Sequence, residues 1–205
     1  MKLTKFRLLC VLFAWIALPV FAQAQQPYVL APTIQPVKEK KVEVVEFFWY
    51  GCNHCNALDP RMEKWAKGRN DIVFKRVHAP LAPDWVSMTK VFYTLVQMNK
   101  LDGLHQKMFD AMHKQNIYLD DETVFFAWLE KQDIDMEKFK SIYNSFGTQV
   151  RVDQAKQLAL SYRLTGVPAI VVDGKYITGE RYAGKDLFKV LDQLVEKAKA
   201  ERRKK

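Results

Sequence analysis

Between Val42 and Tyr50 the chain reads VEVVEFFWY, a run broken only by two glutamates and rich in β-branched and aromatic residues. Such a strand has no polar side to turn towards water. It must be covered on both faces, which selects a layered α/β fold with this strand near the centre of its sheet. Gly51 ends the run, and Cys52-Asn53-His54-Cys55 follows at once. From Asn53 to Lys67, Leu58, Met62 and Trp65 recur at helical spacing, and Gly68 is a stop signal. Pro60 falls inside this pattern and is expected to kink the helix. IVFKRVH (Ile72–His78) reads as the next strand, so strand, helix and strand make a parallel βαβ unit.

Strand signals then vanish between Pro80 and Gly147. Trp85, Met88, Phe92, Leu95 and Asn99 mark one helix face, Leu104, Met108 and Met112 a second, and Val124, Trp128 and Leu129 a third, with DDET and DIDM as helix starts. A long helix is expected from Thr148 to Arg163. VPAIVVDGKYITG reads as two strands around an Asp173-Gly174 turn. Leu187, Leu191, Leu194 and Ala198 mark a final helix, and Tyr28 to Leu30 suits a brief edge strand. The organisation expected is an α/β domain formed by residues 27–80 and 148–200, with an all-helical domain, 81–147, inserted into it.

The first residues carry Lys2, Lys5 and Arg7, an apolar stretch from Leu8 to Phe21, and the small-x-small triplet Ala22-Gln23-Ala24. This is the pattern of a secretory signal peptide, residues 1–24, too short in its apolar part to span a bilayer. Cys10 is expected to leave with it. Losing the three basic residues lowers the formal net charge from +9 to +6, and the tail from Glu196 to Lys205 holds most of what remains. Basicity confined to a terminus, without an aromatic-interleaved stripe, argues against nucleic acid binding.

An exported chain with Cys52 and Cys55 as its remaining cysteines is not a disulfide-stapled mini-protein. A bridge over two intervening residues would also stabilise little through chain entropy. Residue 56 is Asn, so the C-x-x-C-H haem signature is missing. No second cysteine pair completes a zinc site, and His78, His105 and His113 are remote in sequence. No metal or other cofactor is expected. Redox chemistry of the pair itself is left. Cys52 sits where a strand gives way to a helix, with free backbone N–H groups and the positive end of the helix dipole favouring its thiolate. Cys55, one turn on, can bridge to it but faces inward. His54, as an imidazolium, would be balanced by that thiolate. A fall in the Cys52 pKa from about 8.5 to about 4.5 would favour the reduced form at pH 7 by about 3.4 kcal/mol, or on the order of 70 mV.

VEFFWYGCNHC, TGVPAIVVDGKY and the helical stretch between them resemble the DsbA family of periplasmic thiol-disulfide oxidoreductases, over nearly the whole chain after the signal. The resemblance implies a thioredoxin-like fold with an inserted helical domain and a periplasmic location. It implies Cys52 as nucleophile, Cys55 as resolving cysteine and His54 at the family's histidine position. It also implies that Val167-Pro168 is the substrate-binding loop with a cis proline. Glu46 corresponds to the family's buried proton-handling glutamate, and Lys75 resembles its basic partner. Reoxidation by a quinone-linked inner-membrane oxidase is implied as well. The chain departs from the family in carrying Asn53-His54 where Pro-His is commonest, which bears on the redox potential.

The expected activity is donation of the Cys52–Cys55 disulfide to reduced, newly translocated proteins by a monomeric enzyme. A reductase or isomerase on the same fold would use the same residues, although fewer than 20 residues between the signal and the first strong strand leave no room for an isomerase's dimerisation domain. A peptide-binding module presenting Met88, Met98, Met108 and Met112 is the reading from another class.

Overall fold

The structure is a computed structural model that describes residues 26–204. The expected signal peptide and Cys10 lie outside them. Five strands form one sheet: β1 (Val29–Leu30), β2 (Val42–Phe48), β3 (Ile72–His78), β4 (Ala169–Val172) and β5 (Tyr176–Thr178). Their order is β1-β5-β4-β2-β3, with β2 and β3 parallel and the other neighbours antiparallel. The apolar run is indeed central. β2 ends two residues before the expected Tyr50, because Trp49 and Tyr50 already form the turn into α1 (Asn53–Ala66), which continues through Pro60.

Both faces of β2 are covered. Val42 and Val44 pack with Leu58 and Met62 of α1 and with Leu187, Leu191 and Leu194 of the C-terminal helix Leu187–Arg202. Val45 and Phe47 pack with Ala159 and Tyr162 at the end of helix Phe146–Ser161, which begins two residues before the expected Thr148 because Ser145 caps it. Asp173 and Gly174 both adopt positive φ (56° and 65°), as the two-residue hairpin requires, and a side chain at Gly174 would collide with the Gln35 carbonyl.

Between β3 and helix Phe146–Ser161 lie four helices: α2 (Val86–Gln97), α3 (Leu101–His113), α4 (Glu122–Leu129) and α5 (Met136–Tyr143). Asp121 of DDET caps α4 and Asp135 of DIDM caps α5, so both stretches start helices as expected. The remaining helices follow as α6 (Phe146–Ser161), α7 (Glu180–Ala183) and α8 (Leu187–Arg202). The helical insertion has its own core, in which Met88, Phe92, Leu95, Met108 and Phe109 are buried together with Phe48, Tyr50 and Cys55 from the sheet side. The cysteine pair therefore lies at the seam between sheet and insertion. Met88 and Met108 are internal packing rather than an exposed binding face. No helix among the described residues is long and apolar enough to cross a membrane.

Candidate active site

Cys52 is the N-cap of α1, and its backbone is extended (φ −88°, ψ 114°). That conformation swings the sulfur over the first helical turn, where the Cys55 N–H donates to Cys52 Sγ at 3.2 Å. Both cysteines are free thiols, Cys52 half-buried and Cys55 fully buried. The Cys52 pKa is lowered to about 6, chiefly by the hydrogen bond from the Cys55 thiol; burial opposes this, while the backbone N–H groups of Cys55 and His54 and then the His54 charge assist. Cys55 is driven the other way, first by burial, then by its bond to Cys52 and by the charges of Cys52 and Glu46. The expected division of labour has a physical basis, although its leading cause is the second sulfur rather than the histidine. His54 is exposed on the first turn.

The Cys52 thiol also faces the carbonyl of Val167 at 3.6 Å. The Val167-Pro168 peptide bond is cis. Beside it runs a groove of about 660 Å³ whose lining includes Val29, Leu30, His54, Leu164, Val167 and Pro168. Gly51 leaves room for Trp49, whose ring occupies the space a side chain there would need and stacks on Trp85 at 4.3 Å.

Beneath the cysteines lies a buried polar cluster. Glu46 is completely buried, neither carboxyl oxygen has a hydrogen-bond partner among the described residues, and burial, aided by the charge of Asp59, raises its pKa to about 8. The expected ion pair with Lys75 is not formed. Lys75 projects from the opposite face of β3, where it binds Glu39 at 2.6 Å and Glu43 at 2.7 Å. The cation near Glu46 is the next residue, Arg76, because the parallel register sets Arg76 opposite Glu46 and Lys75 opposite Val45. Arg76 Nε is 3.8 Å from Glu46 Oε2 but only 2.7 Å from Oδ1 of Asp59. His105 Nε2 meets the same Oδ1 at 3.0 Å, and Tyr50 Oη meets His105 Nδ1 at 2.7 Å. Burial alone would push Asp59 up, but its bonds to His105 and Arg76 hold it below the usual carboxylate range.

Asp59, Arg76, His105 and Tyr50 were not expected at the site. Asp59 had a usable signal, since it follows the inward-facing Cys55 by one helical turn. His105 had none, because it comes from α3 and meets the others only through tertiary packing. No group of three or more His, Cys, Asp or Glu among the described residues has a metal-binding arrangement.

Two sulfurs one turn apart, with acidities driven in opposite directions, make a two-electron exchange centre. On this sheet that centre defines a thioredoxin-fold thiol-disulfide oxidoreductase. The model of the DSBA-like thioredoxin domain matches residues 43–194. The thiol:disulfide interchange protein DsbA of Burkholderia cepacia is 40% identical over 166 residues, 78% of each chain. That of Pseudomonas aeruginosa is 37% identical over 185 residues, 88% of each chain. The crystal structure of Pseudomonas aeruginosa DsbA superposes with a TM-score of 0.81 at 37% identity, covering 87% of this chain and 95% of that one. The oxidoreductase NmDsbA1 from N. meningitidis superposes with a TM-score of 0.76 at 28% identity, covering 87% and 94%. The chain belongs to the DsbA family.

Proposed function

We propose that this enzyme is exported to the periplasm, where its Cys52–Cys55 disulfide is donated to reduced, newly translocated proteins. The observation that carries this reading is the opposed acidity of the two thiols, Cys52 lowered to about 6 and Cys55 raised. A sulfur more stable as an anion favours the reduced enzyme and makes its disulfide a donor.

A substrate thiolate attacks Cys52 Sγ, forming a mixed disulfide and breaking the bond to Cys55. Cys55 leaves as a thiolate and takes a proton from the Glu46 carboxyl, whose raised pKa keeps it protonated at neutral pH. A second substrate thiolate then attacks the substrate sulfur of the mixed disulfide and expels Cys52 as the stabilised thiolate. Two electrons have passed from the substrate dithiol to the enzyme. The groove beside Val167 and Pro168, with its apolar wall of Val29, Leu30 and Leu164, suits an extended peptide of the unfolded substrate. Reoxidation passes the two electrons to a quinone-linked inner-membrane oxidase.

The test is oxidation of a reduced, unfolded model protein by the oxidised enzyme. Stoichiometric transfer that is lost in Cys52→Ser supports the reading. A redox equilibrium with glutathione lying on the strongly reducing side would assign the enzyme as a reductase instead.

A further inference from the structure

Two buried carboxyl groups, Glu46 and Asp59, flank one buried guanidinium. They cannot both ionise cheaply, so an additional donor decides which of them keeps a proton. Arg76 is committed to Asp59, with Nε at 2.7 Å from Oδ1 and Nη2 at 3.3 Å from Oδ2. The additional donor is the imidazole of His105, a residue of the helical insertion. Since Tyr50 has an O–H to give and Asp59 a lone pair to offer, the bonds assign the Nε2–H tautomer, with Tyr50 donating to Nδ1 and Nε2–H donating to Asp59. Edge contacts with Phe48 and Phe109, at 5.2 and 5.3 Å, hold the ring in place.

We propose that His105 is a positioning residue for the redox cycle: by bonding Asp59 it keeps that carboxylate as the charged partner of Arg76 and leaves Glu46 as the carboxyl that exchanges a proton with Cys55. The inference rests on the role given to Glu46 above. It makes the helical insertion a working part of the proton path rather than only a cover. The groups that face this cluster are Glu46 from β2, Tyr50 from the turn that follows it, Cys55, Asp59 and Glu63 from α1, and Arg76 and His78 from β3. His105 and His113 from α3 complete it, Glu63 reaching Arg76 at 3.5 Å and His113 bonding the Tyr50 carbonyl at 2.7 Å. His78 is kept neutral by its burial, its pKa lowered to about 3, so it adds no charge.

The experiment forms the mixed disulfide between Cys52 and glutathione and follows its resolution by Cys55 in single turnovers against pH. The rate should rise through the titration of the group that accepts the Cys55 proton. His105→Phe keeps a ring among the aromatics but removes both hydrogen bonds. Asp59 then holds its charge less well, the proton moves towards it, and the midpoint of the profile is expected to fall by about one unit, a tenfold change in proton affinity. His105→Gln, which retains a donor, should restore the wild-type midpoint. In an Asp59→Asn background His105→Phe should add no further shift. An unshifted midpoint in His105→Phe, or a shift that survives in Asp59→Asn, overturns the proposal. Should His105→Phe not fold, nitrogen NMR of the wild-type imidazole decides, the Nε2–H tautomer supporting the proposal and the Nδ1–H tautomer overturning it. Glu46→Gln separates the two levels. If its profile matches wild type, the Glu46 reading itself has failed; if it loses the titration while His105→Phe is unshifted, only the role of His105 has.

Discussion

The backbone N–H of Cys55 points at Cys52 Sγ from 3.2 Å, so the buried cysteine of the pair stabilises the half-buried one as a thiolate. Substituting Cys55 therefore has an electrostatic consequence besides a chemical one. In Cys55→Ala the thiol bond is lost while the backbone N–H stays. The ultraviolet thiolate titration of Cys52, expected near pH 6 in the wild type, should move up in this variant by more than it does in His54→Ala. An equal or larger effect of His54→Ala would reverse the ranking of the causes.

The same ionisation sets how the redox potential responds to pH. Below pH 6 reduction takes up two protons with two electrons, giving a slope of about 60 mV per unit; above it one proton suffices and the slope is about 30 mV. Potentials measured against glutathione across pH 4.5 to 8.5 should show the break near 6. The pKa of Cys52 is lower in the fold than its ordinary 9.0, so its contribution to the stability of the reduced protein is present above pH 9 and lost as the pH falls through 6. At pH 7 the advantage of the reduced form is at most about 1.4 kcal/mol before solvent screening, well under the figure expected from sequence, because partial burial of the sulfur opposes its ionisation.

Glu46 is a stability cost retained at neutral pH. Its pKa rises from 4.5 to about 8 on folding, so the fold is penalised increasingly as the pH climbs through that interval and not at all below 4.5. Glu46→Leu is expected to stabilise the reduced protein by about 2 kcal/mol at pH 7. Urea melts at pH 7 and pH 4 check this, since the gain should disappear at the lower pH.

Adjacent residues of β3 should behave very differently. Lys75→Met removes exposed ion pairs with Glu39 and Glu43 and should change stability by less than about 1 kcal/mol. Arg76→Met strips Asp59 of its buried cation and should cost about 3 kcal/mol. Denaturant midpoints of the two variants measure the contrast, and comparable losses would count against the assigned faces.

That contrast also shows how far the sequence could be read. The central strand, the cysteine pair at its end and the Asp173-Gly174 hairpin each carry their signal locally, in continuous apolarity, spacing and turn chemistry. The partner of Glu46 does not. IVFKRVH places Val73, Lys75 and Val77 on one face and Ile72, Phe74, Arg76 and His78 on the other, and each set contains apolar residues and one lysine or arginine. Only the register with β2 decides between them. His105 lies next to Leu104 on a helix whose apolar face reads as packing, and its value emerges only when α3 docks against α1. The four-residue α7 is too short to establish any periodicity.

The strand order has a consequence for how the molecule is made. β2 meets β3 after a single intervening helix, but its other neighbour, β4, is synthesised only after five more. Pairings of such wide sequence separation are slow to close. A nascent chain thus carries both sulfurs long before the Val167 carbonyl arrives to face Cys52, so the reagent is made early and walled in late.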